Sequence, residues 1–349
     1  MIIAENGNDV CIEESVNHNQ HWRFELRSDG RYDIVSVVNL KYIGSWGDIG
    51  VVPFLKTITL GWDIQAVNAV AEPIPIISNY TSGVAFDVDH NFVDVSVGKT
   101  FATQPVIFAD MQTINGADPA GLRIKDVSTS QFTVKVEEEQ SGGDLVISHA
   151  PEKIGFLAFE TGILQDASGH AIGEVGSIQV NQTQNANWRT LNFNRTYENP
   201  VVIMTMNTYN GPAPSHMRIQ SVSNDSVSYR IEEWDYLTDN NTHAEETVAY
   251  MVVEEGNYIL SDGTSLNASK FTHINNESST ISLPFWDIPV VISQSQTTNG
   301  EQAIVTRDKH IDDGYYISFI FELSLQEEKN NDQVHADETV GVIAIGQGY

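Results

Sequence analysis

The sequence predicts an all-β protein, in which an N-terminal β-rich domain precedes three tandem six-stranded antiparallel β-sandwiches. Two observations support this fold class. A block of sequence recurs three times at nearly constant spacing, which is typical of tandem copies of one structural unit. Inside each block the apolar and polar residues alternate with the period of two that strands require.

The clearest recurring stretch reads His-Ala-x-Glu, followed by a run of apolar residues that ends in glycine. It begins at His149, His243 and His335, so that the copies stand 94 and 92 residues apart. Its charged beginning and apolar continuation fit the entry into a buried strand. The motif therefore places one long strand at the same position of each repeat.

Other residues keep the same register around this motif. A proline opens a strand-like run in each copy, a threonine follows eight residues later and an arginine eighteen residues later, with an Asn-Gly pair between them. Asn-Gly pairs are typical of tight turns between strands. The positions are Pro105, Pro200 and Pro289 for the proline, Thr113, Thr208 and Thr297 for the threonine, Asn115, Asn210 and Asn299 for the Asn-Gly pair, and Arg123, Arg218 and Arg307 for the arginine.

The repeat pattern sets the predicted domain boundaries. Residues 1–84 do not match the repeat and form the N-terminal domain, in which a hairpin with Asp29-Gly30 at its turn is expected. The three repeats are assigned to residues 85–166, 167–260 and 261–349. Stretches such as "FTVKVEEE" and "VSYRIEEW" supply the alternating strands within them.

Composition limits the classes of partner. The chain has 47 acidic and 18 basic residues and a formal net charge of -29. This balance argues against nucleic acid or an anionic membrane as a partner, because both attract basic surfaces. Carboxylates are calcium ligands, but no spacing indicates a calcium site, so no cofactor is predicted. An acidic surface suits salty surroundings and keeps a protein soluble.

The remaining sequence features concern export and the membrane. Cys11 is the sole cysteine, so no intrachain disulfide is expected. No apolar run approaches the length that crosses a bilayer, and membrane insertion is not expected. The first residues carry no basic stretch before an apolar one, as a secretory signal would. If the chain acts outside cells, we expect a fragment of a larger protein or a component released by assembly and lysis.

The second repeat carries a more specific resemblance. It contains Trp188, then "LNFNRTYENPVVIMTMNT", then "MRIQSVSNDSVSYRIEEWDY". This order resembles the H-type lectin family, to which the snail agglutinin and the C-terminal domain of discoidin belong. The resemblance implies a six-stranded sandwich that forms trimers. It also implies sugar sites near the subunit boundaries that favour N-acetylgalactosamine or galactose.

The resemblance also implies site residues in the second repeat. Arg218 precedes "SVS" as the family arginine does, and Trp234 stands where the family tryptophan stands. Asn185 lies three residues before Trp188, where the family has an aspartate, and Asp235 replaces a family histidine. Tyr236 adds a second aromatic candidate. The tryptophan position is assigned to Glu139 in the first repeat and to Leu323 in the third.

Two interpretations compete for the His-Ala-x-Glu motif and for the arginines. A catalytic or zinc role is disfavoured, because no nucleophile recurs with the histidine and no second histidine follows at helical spacing. A structural role is preferred, with each histidine bound to a glutamate of the neighbouring strand. The arginines fit sugar contacts and ion pairs equally well. The predicted structural set is His149, Glu152, His243, Glu246, His335, Glu338, Arg123 and Arg307, with Glu138, Glu233 and Glu322 as the partners of the histidines.

An enzymatic function is not expected. Adjacent carboxylates such as Glu137 and Glu138 lie on opposite faces of a strand, whereas a glycosidase needs two carboxyls facing one another across a cleft. The predicted function is therefore a carbohydrate-binding attachment protein, extracellular or virion-associated, for example a phage tail-fibre adhesin that recognises a cell-surface glycan. It would act as a homotrimer or dock to a larger fibre through residues 1–84. The alternatives are a carbohydrate-binding region of a larger secreted adhesin or polysaccharide-degrading enzyme, and a structural spacer without a ligand.

Overall fold

The computed structural model divides the chain into two compact units, residues 1–71 and 72–349. The second unit is described in full over residues 74–143, 148–183, 188–237, 242–311 and 318–347. In the first unit only the backbone of five strands is described. The all-β prediction is confirmed, because the described residues form 25 strands and no helix.

The first unit contains a five-stranded antiparallel meander in which each strand pairs with the next along the chain. Leu26 pairs with Tyr32, so the hairpin predicted around Asp29-Gly30 is present, although the turn residues themselves lie outside the described ones. Its strands are β1 (Ile3–Asn6), β2 (Asp9–Ile12), β3 (Gln20–Leu26), β4 (Tyr32–Ser36) and β5 (Tyr42–Ser45).

The first repeat is a sandwich of two three-stranded sheets, with strand orders β6-β11-β8 and β7-β10-β9. Its first strand begins at Tyr80, so the predicted boundary between residues 84 and 85 falls within this strand, five residues after its start. The strands are β6 (Tyr80–Val88), β7 (Val93–Ser96), β8 (Val106–Met111), β9 (Ala120–Lys125), β10 (Gln131–Glu138) and β11 (Glu152–Phe159).

The second repeat has the same two sheets and one additional edge strand, β12, which pairs with β13 ahead of the sandwich. The strand orders are β12-β13-β18-β15 and β14-β17-β16. The strands are β12 (Gly162–Gln165), β13 (Ala171–Gln182), β14 (Arg189–Asn192), β15 (Pro200–Met206), β16 (Ser215–Val222), β17 (Ser226–Glu233) and β18 (His243–Glu254).

The third repeat matches the second, including the additional edge strand β19. Its sheets have the orders β19-β20-β25-β22 and β21-β24-β23. The strands are β19 (Gly256–Ile259), β20 (Ser265–Ile274), β21 (Ser279–Leu283), β22 (Val290–Ser295), β23 (Ile304–His310), β24 (Phe319–Glu327) and β25 (Glu338–Gly346).

The three sandwiches are not independent beads, because their first sheets pack against one another. In β15, Val202 and Met204 face the core of their own sandwich, whereas Val201 and Ile203 face a core that all three repeats share. A strand that is buried on both faces needs a nearly continuous apolar run, which explains the sequence "PVVIMTM". Repeats 1 and 3 contribute Val106, Phe108, Val290 and Ile292 to this central core from the equivalent strands.

Three side-chain amides fasten the repeats into a closed ring. Asn207 of repeat 2 donates to the carbonyl of Ile107 in repeat 1 over 2.7 Å and accepts its N–H over 2.8 Å. Gln112 of repeat 1 binds Val291 of repeat 3 in the same two-way manner. Gln296 of repeat 3 binds Val202 of repeat 2. Each amide stands seven residues after its proline, and the three pairs of hydrogen bonds join repeat 2 to repeat 1, repeat 1 to repeat 3 and repeat 3 to repeat 2.

We expect residues 72–349 to unfold in one cooperative transition rather than three, because the central core and the amide bonds belong to all repeats. Phe108→Ala, which opens a cavity in the central core, should destabilise the unit by about 3–5 kcal/mol and shift that single transition. Phe132→Ala, in the core of repeat 1 alone, is the matched control and should shift the same transition. Scanning calorimetry that resolves a separate, unshifted transition for repeats 2 and 3 would contradict this expectation.

Candidate functional site at the boundaries between repeats

In each repeat, a buried glutamate binds the residues that recur at the same positions of all three repeats. In repeat 2, Glu246 is fully buried, and its Oε1 accepts the backbone N–H groups of Asn210 and Gly211 at 2.8 Å each. Its Oε2 accepts the hydroxyl of Thr208. The Thr-x-Asn-Gly turn is therefore wrapped around the carboxylate. Glu152 and Glu338 hold the turns of the other repeats in the same way.

The recurring histidine bridges that glutamate to a second one. His243 lies 3.0 Å from Glu233 through Nδ1 and 3.2 Å from Glu246 through Nε2. Both ring nitrogens face carboxylates, so both donate when the ring is charged. Burial lowers the pKa of His243, but the hydrogen bonds that its ring donates to Glu233 and Glu246 outweigh burial and leave the pKa raised above 6.5. The same bridge occurs at His149, with Glu138 and Glu152, and at His335, with Glu327 and Glu338.

One detail of the sequence prediction needs correction. The partner of His335 is Glu327, at 2.7 Å, and not Glu322. On a regular strand, a histidine and a glutamate three residues later would lie on opposite faces. They meet because His149 and His335 precede strands that begin at Glu152 and Glu338. In repeat 2 the strand already includes His243, but a register shift lies beside it.

The glycine of the Asn-Gly pair is required by the histidine rather than by its own backbone angle. A Cβ atom built on Gly211 would lie 2.4 Å from Nε2 of His243, closer than real Cβ contacts come. The distances at Gly116 and Gly300 to the rings of His149 and His335 are the same within 0.1 Å. The Asn-Gly pair is therefore part of the histidine bridge.

The recurring arginine connects this assembly to the neighbouring repeat. Arg123 of repeat 1 donates to the carbonyl oxygens of Gly211 and Ala213 of repeat 2, at 2.9 and 2.8 Å, and to Glu137 of its own repeat at 2.8 Å. Arg307 of repeat 3 makes the equivalent bonds to the carbonyls of repeat 1, and Arg218 of repeat 2 reaches repeat 3. The arginines thus close the ring a second time.

Arg218 is the least completely paired of the three arginines, although Nε has no hydrogen-bond partner among the described residues in any of them. Arg218 donates from Nη2 to Glu338 at 3.1 Å and to the carbonyl of Gly300, but its Nη1 and Nε have no hydrogen-bond partner among the described residues. The acceptor that Glu137 offers Arg123 has an equivalent in Glu232. Glu232 instead accepts from His216 at 3.1 Å and pairs with Arg230.

The pKa of Glu232 shows how tightly that carboxylate is held. Burial raises it, but the hydrogen bond from His216 and the charges of Arg218 and Arg230 outweigh burial and lower it to about 2. Glu232 is therefore ionised, and its oxygens are already paired with His216 and Arg230. Arg218 lines a cavity of about 110 Å³ together with residues of all three repeats.

The predicted sugar-binding residues lie close together, with one exception. Arg218, Trp234, Asp235 and Tyr236 are all at the boundary between repeats 2 and 3, whereas Asn185 lies outside the described residues. Trp234 is only 2% exposed, and its ring contacts His216 with centroids 5.1 Å apart.

The ring of Trp234 is covered by neighbouring protein in this structure. The reason is that the loop after β17 packs on repeat 3. Asp235 accepts the N–H of Ala303 at 3.1 Å, and Tyr236 donates its N–H to Glu328 at 2.8 Å. Arg218 is likewise 2% exposed. Carbohydrate contact by these residues stays a prediction, and it requires this loop to move.

The tryptophan position of the third repeat is Glu328, not Leu323. The residues that follow the histidine-bound glutamates are Glu139, Trp234 and Glu328, which places the third slot five residues later than predicted. The extra residues lie in a longer connection between β23 and β24. The three loops meet, since Glu139 accepts the N–H of Lys329 at 2.9 Å. Burial, with the charges of Asp235 and Glu139, raises the pKa of Glu328 to about 7.

Sequence reasoning missed the amides Gln112, Asn207 and Gln296, although a pattern was available. Each amide stands directly before the recurring threonine. Among the described residues, no group of three or more histidine, cysteine, aspartate or glutamate side chains could hold a metal ion. The same part of the chain contains no helix able to cross a bilayer.

Comparison with known proteins yields one similarity. The chain is 29% identical over 286 residues to Halomucin of Haloquadratum walsbyi (strain DSM 16790 / HBSQ001). The aligned region is 77% of this chain and 3% of Halomucin, so the chain spans a small part of that relative's length. No family model matches the chain, and no solved structure matches it.

We expect His243→Ala and Gly211→Ala to be strongly coupled. His243→Ala leaves two buried carboxylates without their bridge and should cost about 3–5 kcal/mol of unfolding free energy. Gly211→Ala should also destabilise, because its methyl group overlaps the ring. In the double variant the methyl group occupies the space of the missing ring. The double variant should therefore lose less unfolding free energy than the two single variants together. Denaturant titration of all four proteins gives the coupling energy, and strict additivity would contradict the proposed contact.

The histidine bridge also predicts a pH dependence. Because folding raises the pKa of His243, its stabilising contribution is complete below pH 6.5 and declines as the pH rises through the folded value. The difference in unfolding free energy between wild type and His243→Ala should therefore shrink above pH 6.5. A difference that stays constant from pH 5 to pH 9 would exclude a charged bridge.

Proposed function

We propose that the chain is a non-enzymatic attachment module of a secreted or cell-surface protein, that carbohydrate is its ligand, and that the boundary between repeats 2 and 3 binds it. Halomucin is a large secreted surface protein, and the similarity of this chain to it suggests a surface or adhesin-like role. The same similarity favours such a setting over a virion fibre. The net charge of -29 agrees with an exposed position in salty surroundings.

The observation that carries the carbohydrate proposal is the incomplete pairing of Arg218. A guanidinium presents a planar set of N–H donors that suits sugar hydroxyl groups. At the other two boundaries the Nη1 atoms of Arg123 and Arg307 are bonded to protein oxygens, whereas Nη1 of Arg218 is not. One boundary of three therefore has an arginine whose Nη1 is unpaired among the described residues, whereas Nε is unpaired at all three.

The surroundings of Arg218 add the second element of a sugar site. Glu232 and His216 connect the arginine to the ring of Trp234, and aromatic rings stack on the apolar faces of sugars. Because Trp234 is buried, binding requires residues 234–237 to swing away from Ala303 and Glu328. A ligand then replaces the two backbone hydrogen bonds that the loop gives up.

The ring of repeats supports the resemblance to the H-type lectins in a further way. The resemblance implies a trimer of sandwiches with sugar sites near the subunit boundaries. In this chain, three sandwiches of one polypeptide form a closed ring. The faces that a homotrimer would bury are already buried between repeats. We therefore propose one such ring per chain, without a homotrimer of the repeats.

A structural spacer is the second candidate, and a specific observation favours it. The threonine, Asn-Gly, histidine and glutamate positions form the same network within every repeat, and the arginine joins that network to the next repeat, as a spacer would require. The two candidates differ only in whether the free donors of Arg218 bind a ligand.

A glycan array, screened with and without calcium, should identify a ligand, and titration calorimetry with the best glycan should then compare three variants. Arg218→Ala should reduce affinity by on the order of 1–3 kcal/mol, the usual range for a central contact. Arg123→Ala and Arg307→Ala are matched controls, because they remove equally buried arginines and should leave affinity unchanged.

All three variants are expected to lose stability, so affinities are compared at temperatures where circular dichroism shows each to be folded. Equal losses of affinity in the three would indicate a general effect of ring loosening and move the site elsewhere. Absence of binding to every glycan would support the spacer.

A further inference from the structure

The boundary between the last and first repeats contains two buried carboxyl groups that share one hydroxyl. Asp110 lies on β8 of repeat 1, and Asp308 and Ser293 lie on β23 and β22 of repeat 3. Oγ of Ser293 is 3.0 Å from Oδ2 of Asp110 and 3.0 Å from Oδ1 of Asp308. Asp308 is fully buried, and the other two residues are less than 10% exposed.

This geometry contains one donor too few for two carboxylates. A serine hydroxyl carries one hydrogen and can donate to only one of the two oxygens. The second 3.0 Å contact therefore needs a hydrogen that belongs to a carboxyl group, donated to the serine oxygen. The remaining oxygen of Asp308, Oδ2, is buried without a hydrogen-bond partner among the described residues, which an ionised carboxylate tolerates poorly.

We infer that the boundary between repeats 3 and 1 binds one proton on the Asp110–Asp308 pair, and that closure of the ring depends on it. The site takes a proton and not a metal ion, because only three side chains supply oxygen and the charge of Arg307 is beside them. The inference concerns the closing boundary and does not depend on the proposed ligand.

The other two boundaries show what the proton replaces. The position of Asp308 is taken by Ile124 and Ile219 in repeats 1 and 2, where no second carboxyl is present. The position of Asp110 is taken by Gln294 in repeat 3, whose amide accepts the N–H of Met204 at 2.7 Å and donates to the carbonyl of Met217 at 2.9 Å. A carboxylate can only accept, so the proton restores the donor that the amide provides.

The charges around the pair do not remove the need for a proton. Arg307 is the nearest cation, but its guanidinium already donates to carbonyls of repeat 1 and to Gln326, and Glu152 lies 3.8 Å from it. His310, further along β23, has its pKa lowered to about 4 by burial and by Lys153, so it is uncharged at neutral pH. No described group therefore neutralises both carboxylates.

The pKa values of the two carboxyls shift in the direction that the geometry requires. Burial raises the pKa of Asp110 to about 6, against the bonds from Ser293 and the charge of Arg307. Burial and the charge of Asp110 raise the pKa of Asp308 well above 3.8. Because folding raises these values, the stabilising contribution is complete below about pH 4 and is lost as the pH rises through the folded values. The boundary between repeats 3 and 1 is therefore more stable at acidic pH, and its stability decreases as the pH rises.

Asp308→Asn tests this directly, because an amide supplies its own N–H and needs no proton. Above pH 4, the unfolding equilibrium constant of wild type should rise relative to the variant by up to about tenfold per pH unit until the pair ionises. Glu328, whose pKa is about 7, is present in both proteins and cancels in the comparison. Asp225→Asn, in an exposed turn, is the matched control and should run parallel to wild type.

Curves for Asp308→Asn and wild type that stay parallel from pH 4 to pH 8 would overturn the inference. If Asp308→Asn fails to fold, Asp110→Asn is compared in the same way, and infrared spectroscopy of wild type gives an independent measurement. A protonated-carboxyl C=O band at pH 6 that is present in wild type and absent from Asp110→Asn is expected, since Glu328 contributes equally to both spectra. It should disappear at the same pH at which the N–H groups of Ser293 and Met111, both bound to Asp110, begin to exchange faster. Absence of that band at pH 6 would also overturn the inference.

Discussion

The fold depends on the burial of a complete set of charges at each boundary between repeats. Glu152, Glu246 and Glu338 are at most 1% exposed, and each collects two backbone N–H groups, a threonine hydroxyl, a histidine and the arginine of the neighbouring repeat. Removing a carboxylate from water is costly, and only such a full set of partners offsets that cost. Because every partner must be in place, the network fixes the position of each repeat relative to its neighbour.

The central core supplies the stabilisation that the charges do not. Each first sheet buries both faces, one in its own sandwich and one against the other two sheets, so a single repeat would leave one apolar face in water. The amides of Gln112, Asn207 and Gln296 satisfy backbone groups next to this core. Hydrophobic packing therefore holds the ring together, and the polar network determines its register.

Comparison of the three repeats shows where one copy differs from the other two. The Nη1 atom of the recurring arginine is hydrogen-bonded in Arg123 and has no partner among the described residues in Arg218. The same strand position is an apolar Ile124 in one repeat and a carboxyl in Asp308 of another. A position used in scaffolding should be equivalent in all copies, so these two departures are where we place ligand recognition and proton binding.

The sequence by itself determined the fold class, the number of repeats and most residues of the recurring network, but it did not identify Glu327 as the partner of His335. Period-two alternation and the register of Pro, Thr, Asn-Gly, Arg and His-Ala-x-Glu are local patterns, and each copy repeats them. The sequence could not show that Arg123 binds repeat 2 rather than Glu137 alone, because the partner carbonyls at Gly211 and Ala213 are backbone groups that any residue carries. Nor could it show that Trp234 is covered, or that Asp110 and Asp308, 198 residues apart, share Ser293. Only the tertiary structure decided these points. Closure of the ring brings together residues that are far apart along the chain, and no repeated sequence pattern marks them as partners.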